Sequence, residues 1–196
     1  MGRIRLHRVM TLTAAAVLAV APLAAMAQAG ASDDDKKFVE AALKGGMSEV
    51  DLGQMAAKSG KSDDVKQFGQ MMVDDHTKLG EKMKTVAGDV GVTPPSVQSA
   101  GGLATKAKLE VLTGDAFDKA YISAMVKDHE EDLAAFKKEA MSGTSPEVKS
   151  AAKQGATVVQ HHLTMIRKIA QAHSVTASVM HKPSPSVLAS AVGGGR

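Results

Sequence analysis

Residues 62–90 read SDDVKQFGQMMVDDHTKLGEKMKTVAGDV. Stepping by three and four from Val65, the apolar positions are Phe68, Met72, Leu79, Met83, Val86 and Val90, and His76 is the one polar residue on the line. That period marks an amphipathic helix. Ser62 is a fitting N-cap, Asp63 and Asp64 suit the positive end of the helix dipole, and Gly91 with Pro94-Pro95 stops the run. The same reading, carried outward, predicts three more long helices. One spans about 33–59, opened by Ser32 and three aspartates and closed by Gly60. Another spans about 115–141 and ends at Gly143. The last opens with Ser145-Pro146-Glu147 and runs to about 173, with proline at the first helical position where its missing N–H costs nothing.

Gly60-Lys61 and Gly143-Thr144 leave room only for tight turns, so the helices pair into two hairpins. The connection from 91 to 114 is long, and a short helix is expected within it at about 105–112. Two helical hairpins joined by one long crossover is the ferritin-like connectivity of an all-α four-helix bundle. Each long helix extends roughly 40 Å at 1.5 Å per residue, a length the crossover can span.

The chain has 196 residues, no cysteine and only 3% aromatic residues. The missing cysteines exclude disulfides, thiol catalysis, c-type haem and thiolate zinc sites. Few aromatics argue against a β-sandwich, and against a stacking platform for single-stranded nucleic acid. The net charge of +3 comes from the extreme N-terminus. Without Arg3, Arg5 and Arg8 the chain holds 21 basic and 21 acidic residues, so no nucleic-acid partner is expected. Those arginines precede an apolar run at 9–21, Pro22 and Ala25-Met26-Ala27, which is the layout of a secretory signal peptide. Residues 1–27 are read as that signal, 28–173 as the bundle and 174–196 as a disordered tail. The mature protein is then expected in the periplasm or cell envelope, with no transmembrane segment left after signal removal.

One metal-competent residue interrupts the apolar line of each helix. They are Glu49 on the line Phe38, Ala42, Gly45, Leu52, Ala56, then His76, His129 and His162. Each lies near its helix midpoint, and midpoints share one level in an antiparallel bundle. The four therefore can converge, and three imidazoles with one carboxylate form a first shell suited to one zinc, copper, iron or manganese ion. The alternative is a buried polar lock that fixes helix register without metal. His161 should face away from the core. Asp75 and Asp128 read as solvated helix-face charges, their other role being to accept a hydrogen bond from a ligand ring. Met72 and Met125 read as packing material. Gly45-Gly46 either permits a close helix approach or marks a bulge. The position three before each histidine is Val73, Val126 or Val159, so the Glu-x-x-His pattern of carboxylate-bridged di-iron centres is absent. No Walker loop, dinucleotide fingerprint, nucleophile elbow or H-E-x-x-H occurs.

The runs Gly46-Met47-Ser48-Glu49-Val50-Asp51-Leu52-Gly53, Met72-Val73-Asp74-Asp75-His76-Thr77, Phe117-Asp118-Lys119-Ala120-Tyr121-Ile122 and Met125-Val126-Lys127-Asp128-His129 resemble a ferritin-like bacterial family of exported proteins of unknown function, often labelled predicted outer membrane proteins. The resemblance covers about 36–172. It implies a ferritin-like bundle and an envelope location, and it brings no established activity. The helix-4 histidine of that family corresponds to His162, whose neighbour here is His161 rather than an acid. The expected role is non-enzymatic: metal handling or envelope stress protection, with the partner unknown and an envelope protein as one candidate. A structural or protein-interaction module and a metal oxidoreductase are the rival readings.

Overall fold

The computed structural model describes residues 30–175, which form five helices and no strand. The expected signal peptide and nearly all of the expected tail lie outside those residues. The helices are α1 (Asp33–Ser59), α2 (Asp63–Asp89), α3 (Ala100–Glu110), α4 (Gly114–Ser142) and α5 (Pro146–Ala172). α1 and α2 form one antiparallel hairpin, α4 and α5 the other, and α1 packs on α4 while α2 packs on α5. The start of α1 meets the α4–α5 turn, and the start of α2 meets the end of α5. Every adjacent pair in the square is therefore antiparallel, which brings the four helix midpoints to one level. No helix among the described residues is long and apolar enough to cross a membrane.

The core follows the expected line on α2 and one apolar line each on α4 and α5, where Val65, Phe68, Met72, Phe117, Tyr121, Met125, Val148, Val159 and Ile166 are buried. On α1 the line is rotated in its first half. Val39 and Leu43 are buried there, while Phe38 and Ala42 sit at the edge of the core. Phe38 meets Phe136 edge-on at 5.1 Å between ring centres. Gly45 and Gly46 neither bulge the helix nor permit close approach, because α1 is continuous and no atom lies within 4 Å of a Cβ built on either. The close approach lies elsewhere. A Cβ on Gly69 would stand 2.7 Å from the Gly53 carbonyl oxygen, and one on Gly53 would stand 2.8 Å from that of Gly69. These two glycines set how near α1 and α2 can come.

The two hairpins are an internal repeat. One constant offset carries Asp35-Lys36 to Asp118-Lys119, Phe38-Val39 to Tyr121-Ile122, Gly60 to Gly143, Ser62 to Ser145 and Val65-Lys66 to Val148-Lys149. The structure repeats with it. Asp118 accepts hydrogen bonds from Lys61 N at 2.8 Å and from Ser62 N and Oγ at 2.9 and 2.7 Å. Asp35 does the same for the other turn, accepting from Thr144 N at 2.9 Å, from Ser145 N at 3.2 Å and from the Thr144 hydroxyl. Each hairpin thus clamps the turn of the other with a buried aspartate. Ser62 consequently does not cap α2 with its own side chain, as its position suggests, because Asp118 holds its hydroxyl. The α2 and α5 ends also match. Gly91 and Ser174 both have positive φ, and the next residues donate back to Ala87 and Ala170 at 2.8 and 2.9 Å.

The crossover helix begins earlier than its composition suggests. Ser99 accepts from Gly102 N at 3.0 Å and meets the Ser48 hydroxyl at 3.0 Å, which starts α3 five residues before the expected point. Gly101-Gly102 look like helix breakers, yet a Cβ on Gly102 would fall 2.3 Å from Ser48 Cβ. Contact with α1 requires the glycine there and overrides its weak helix propensity.

Candidate metal centre

At the centre of the bundle, α2, α4 and α5 contribute His76, His129 and His162, whose relative exposures are 2%, 0% and 0%. One ring nitrogen from each lies within 4.8 Å of the others. Ring centres are 5.1 Å apart for His76 and His162, 5.9 Å for His76 and His129, and 5.6 Å for His129 and His162. Phe68 closes one side, 6.4 Å from His129 and 6.2 Å from His162. Met72 and Met125 are fully buried in the surrounding core.

Each ring is oriented by an acceptor behind it. His76 Nδ1 meets Glu49 Oε2 at 2.9 Å. His162 Nε2 meets Asp75 Oδ2 at 3.1 Å. His129 Nδ1 donates to the Met125 carbonyl at 3.0 Å. The opposite nitrogens turn inward: His76 Nε2 lies 3.2 Å from His162 Nδ1, and His129 Nε2 has no hydrogen-bond partner. Holding one imidazole nitrogen on an outer acceptor fixes the ring and turns its other nitrogen toward the centre. Glu49 is only 2% exposed and stands behind His76 rather than among the three converging nitrogens. Its second oxygen, Oε1, is 3.7 Å from His129 Nε2 and is likewise unpartnered.

The electrostatics favour one buried charge pair. Burial pushes the Glu49 carboxyl up, but the charge and hydrogen bond of His76 outweigh it and hold the group below the ordinary carboxylate range. Burial lowers His76, and the Glu49 charge and hydrogen bond overcome it, so His76 is raised. His129 is lowered, chiefly by burial. His162 falls to about 4 through burial and the charges of His76 and His129, with the Asp75 hydrogen bond opposing. The balance therefore favours protons on both nitrogens of His76, one toward Glu49 and one toward His162 Nδ1, and disfavours a second proton on His129 or His162.

The structure brings together the three histidines that the sequence singled out, and gives their surroundings more weight than the sequence did. Asp75 is not a free helix-face charge, since it orients His162. Asp128 is half-buried, and burial with the Glu49 charge pushes its carboxyl up to about 6. Asp132 was missed altogether. It lines a cavity of about 10 Å³ beside Glu49 and His76, roughly the volume one water occupies, and burial and Glu49 push its carboxyl up to about 8. The internal repeat is the signal that finds it, because the offset that joins Asp35 to Asp118 joins Glu49 to Asp132. His161 is exposed, as its angle on α5 requires.

The sequence profile described as "Domain of unknown function (DUF4142)" matches residues 20–169. The chain belongs to the DUF4142 family. No curated protein matches this DUF4142 chain. Among solved structures it is similar to a DUF305 fragment from Deinococcus radiodurans, with a TM-score of 0.65 and 16% identity over 73% of this chain and 99% of that one. It is also similar to CopM in the Cu(I)-bound form, with a TM-score of 0.60 and 18% identity over 70% and 96% of the two chains. A DUF305 protein of Streptomyces coelicolor described as secreted gives a TM-score of 0.60 and 13% identity over 72% and 94%. At these identities the likeness establishes a shared ferritin-like helical fold for the DUF4142 domain.

Proposed function

We propose that this protein is an exported metal-binding bundle that holds one transition-metal ion between His76, His129 and His162. The observation that carries the reading is the orientation of the rings. Each outward nitrogen is bound to an acceptor, and the three inward ones face a common centre. Glu49 and Asp75 supply two negative charges behind neutral ligands, which balance a divalent ion. Glu49 Oε1 is the nearest carboxylate oxygen for a fourth position, in keeping with its place in the sequence-predicted set. Imidazole suits copper and zinc, and copper is the first ion to test because the CopM neighbour is described in a Cu(I)-bound form. Export is supported by the arginine-led apolar N-terminus and by the secreted description of the Streptomyces neighbour. The role is metal handling in the envelope rather than catalysis.

A metal-free polar lock is the second reading. Two orphaned atoms speak against it. His129 Nε2 and Glu49 Oε1 are buried without partners, and each unpaired buried polar group costs about 1–3 kcal/mol. The test is metal content and thermal melting of the protein before and after chelation, with Cu²⁺ and Zn²⁺ added back. One bound equivalent that raises the melting temperature, both lost in His129→Ala, is expected, because a ligand that binds only the folded form stabilises it. No bound ion and no shift leaves the lock.

A further inference from the structure

Gly46 in α1 and Gly80 in α2 sit inside long helices, where glycine weakens the helix. Neither serves a close approach, since no atom lies within 4 Å of a Cβ built on either. The internal repeat shows what the fold accommodates at these positions. It carries Gly46 onto His129 and Gly80 onto Leu163, both buried. In the first hairpin the two large side chains are missing, and a gap stands in their place.

That gap joins two spaces. A groove of about 440 Å³ runs between α1, α2 and crossover residues 94–98, and Gly46, Gly80 and His76 are on its wall. The same three residues line the small cavity that reaches Glu49 and Asp132. Two ion pairs stand along the groove, Asp51 with Lys106 at 2.7 Å and Glu81 with Lys84 at 2.8 Å, and Lys84 is itself on its wall. Another side of the histidine cluster is closed by Phe68.

We propose that this groove is the route by which the metal ion reaches the three histidines, and that Gly46 and Gly80 are the gap through which it passes. The proposal rests on the metal-binding reading and adds the path and its gate. A cation enters past these two ion pairs, crosses between the two glycines, and arrives at the face of His76 beside Glu49 and Asp132. A side chain at either glycine closes the path without touching the ligand atoms.

The test follows Cu²⁺ uptake by the full chain in stopped flow, with Gly80→Leu and Gly46→Leu as separate variants and Gly88→Leu as control. Gly88 has an equally open Cβ position and lines neither space. Uptake and release are expected to slow together by about tenfold or more in each gap variant, with an unchanged dissociation constant and normal rates in the control. Rates equal to the wild type in both gap variants overturn the route. Failure of the wild-type chain to bind Cu²⁺ overturns the metal reading instead. A second measurement needs no metal: solvent deuterium exchange at the His76 ring carbon should slow in the gap variants. Equal exchange in all proteins also overturns the route.

Discussion

Binding of the proposed ion should displace a proton, and the geometry points to the one on His76. His76 is raised by Glu49, which favours a proton on Nε2, 3.2 Å from His162 Nδ1. His162 and His129 are lowered and carry bare inward nitrogens. At about pH 6 a divalent ion should therefore release about one proton, and apparent affinity should rise tenfold per pH unit, about 1.4 kcal/mol, until pH passes the His76 pKa. Calorimetric titration with Cu²⁺ in buffers of different ionisation enthalpy counts that proton. Glu49→Gln removes the charge that raises His76 while burial remains, so the count should fall toward zero and the affinity should lose its pH slope. A wild-type count of zero, or a count that Glu49→Gln leaves unchanged, refutes the proton assignment.

Three further outcomes follow from the packing. Asp118→Ala leaves three donors of the α1–α2 turn without their acceptor and should cost about 3 kcal/mol in urea unfolding, whereas a loss within experimental error refutes the clamp. Glu139 is pushed up to about 7 from 4.5 by burial and by Asp35, so the stability it contributes is complete below pH 4.5 and is lost as pH rises through about 7. Urea midpoints at about pH 5 and about pH 8 should differ less in Glu139→Gln than in the parent. Gly69→Ala should lower the melting temperature by forcing α1 from α2, a cost of about 1–3 kcal/mol, while Gly45→Ala should raise it through a helix-propensity gain of about 1 kcal/mol.

Much of this bundle is local chemistry that the chain carries in its own order. Helix bounds follow from caps and glycines within a few residues, and the 3.6-residue period places His76, His129 and His162 on buried faces before any neighbour is known. The α1 line was less legible, because a wide apolar face lets two adjacent rows reach the core and spacing alone does not choose Val39 and Leu43 over Phe38 and Ala42. The start of α3 was hidden for a related reason: the need for glycine at 102 is set by Ser48, a residue on another helix.

What tertiary structure alone decided is how those faces meet. Which ring nitrogen points inward depends on Glu49, Asp75 and the Met125 carbonyl, and hence on the rotation of each helix against its neighbours. Whether Asp35 and Asp118 are solvated caps or buried clamps depends on turns more than fifty residues away. Intrahelical spacing determines the face a side chain takes, since one helix suffices to define it. A hydrogen bond or a ligand geometry between helices is a relation among separate elements, and only the packed bundle holds them at the distance where it forms.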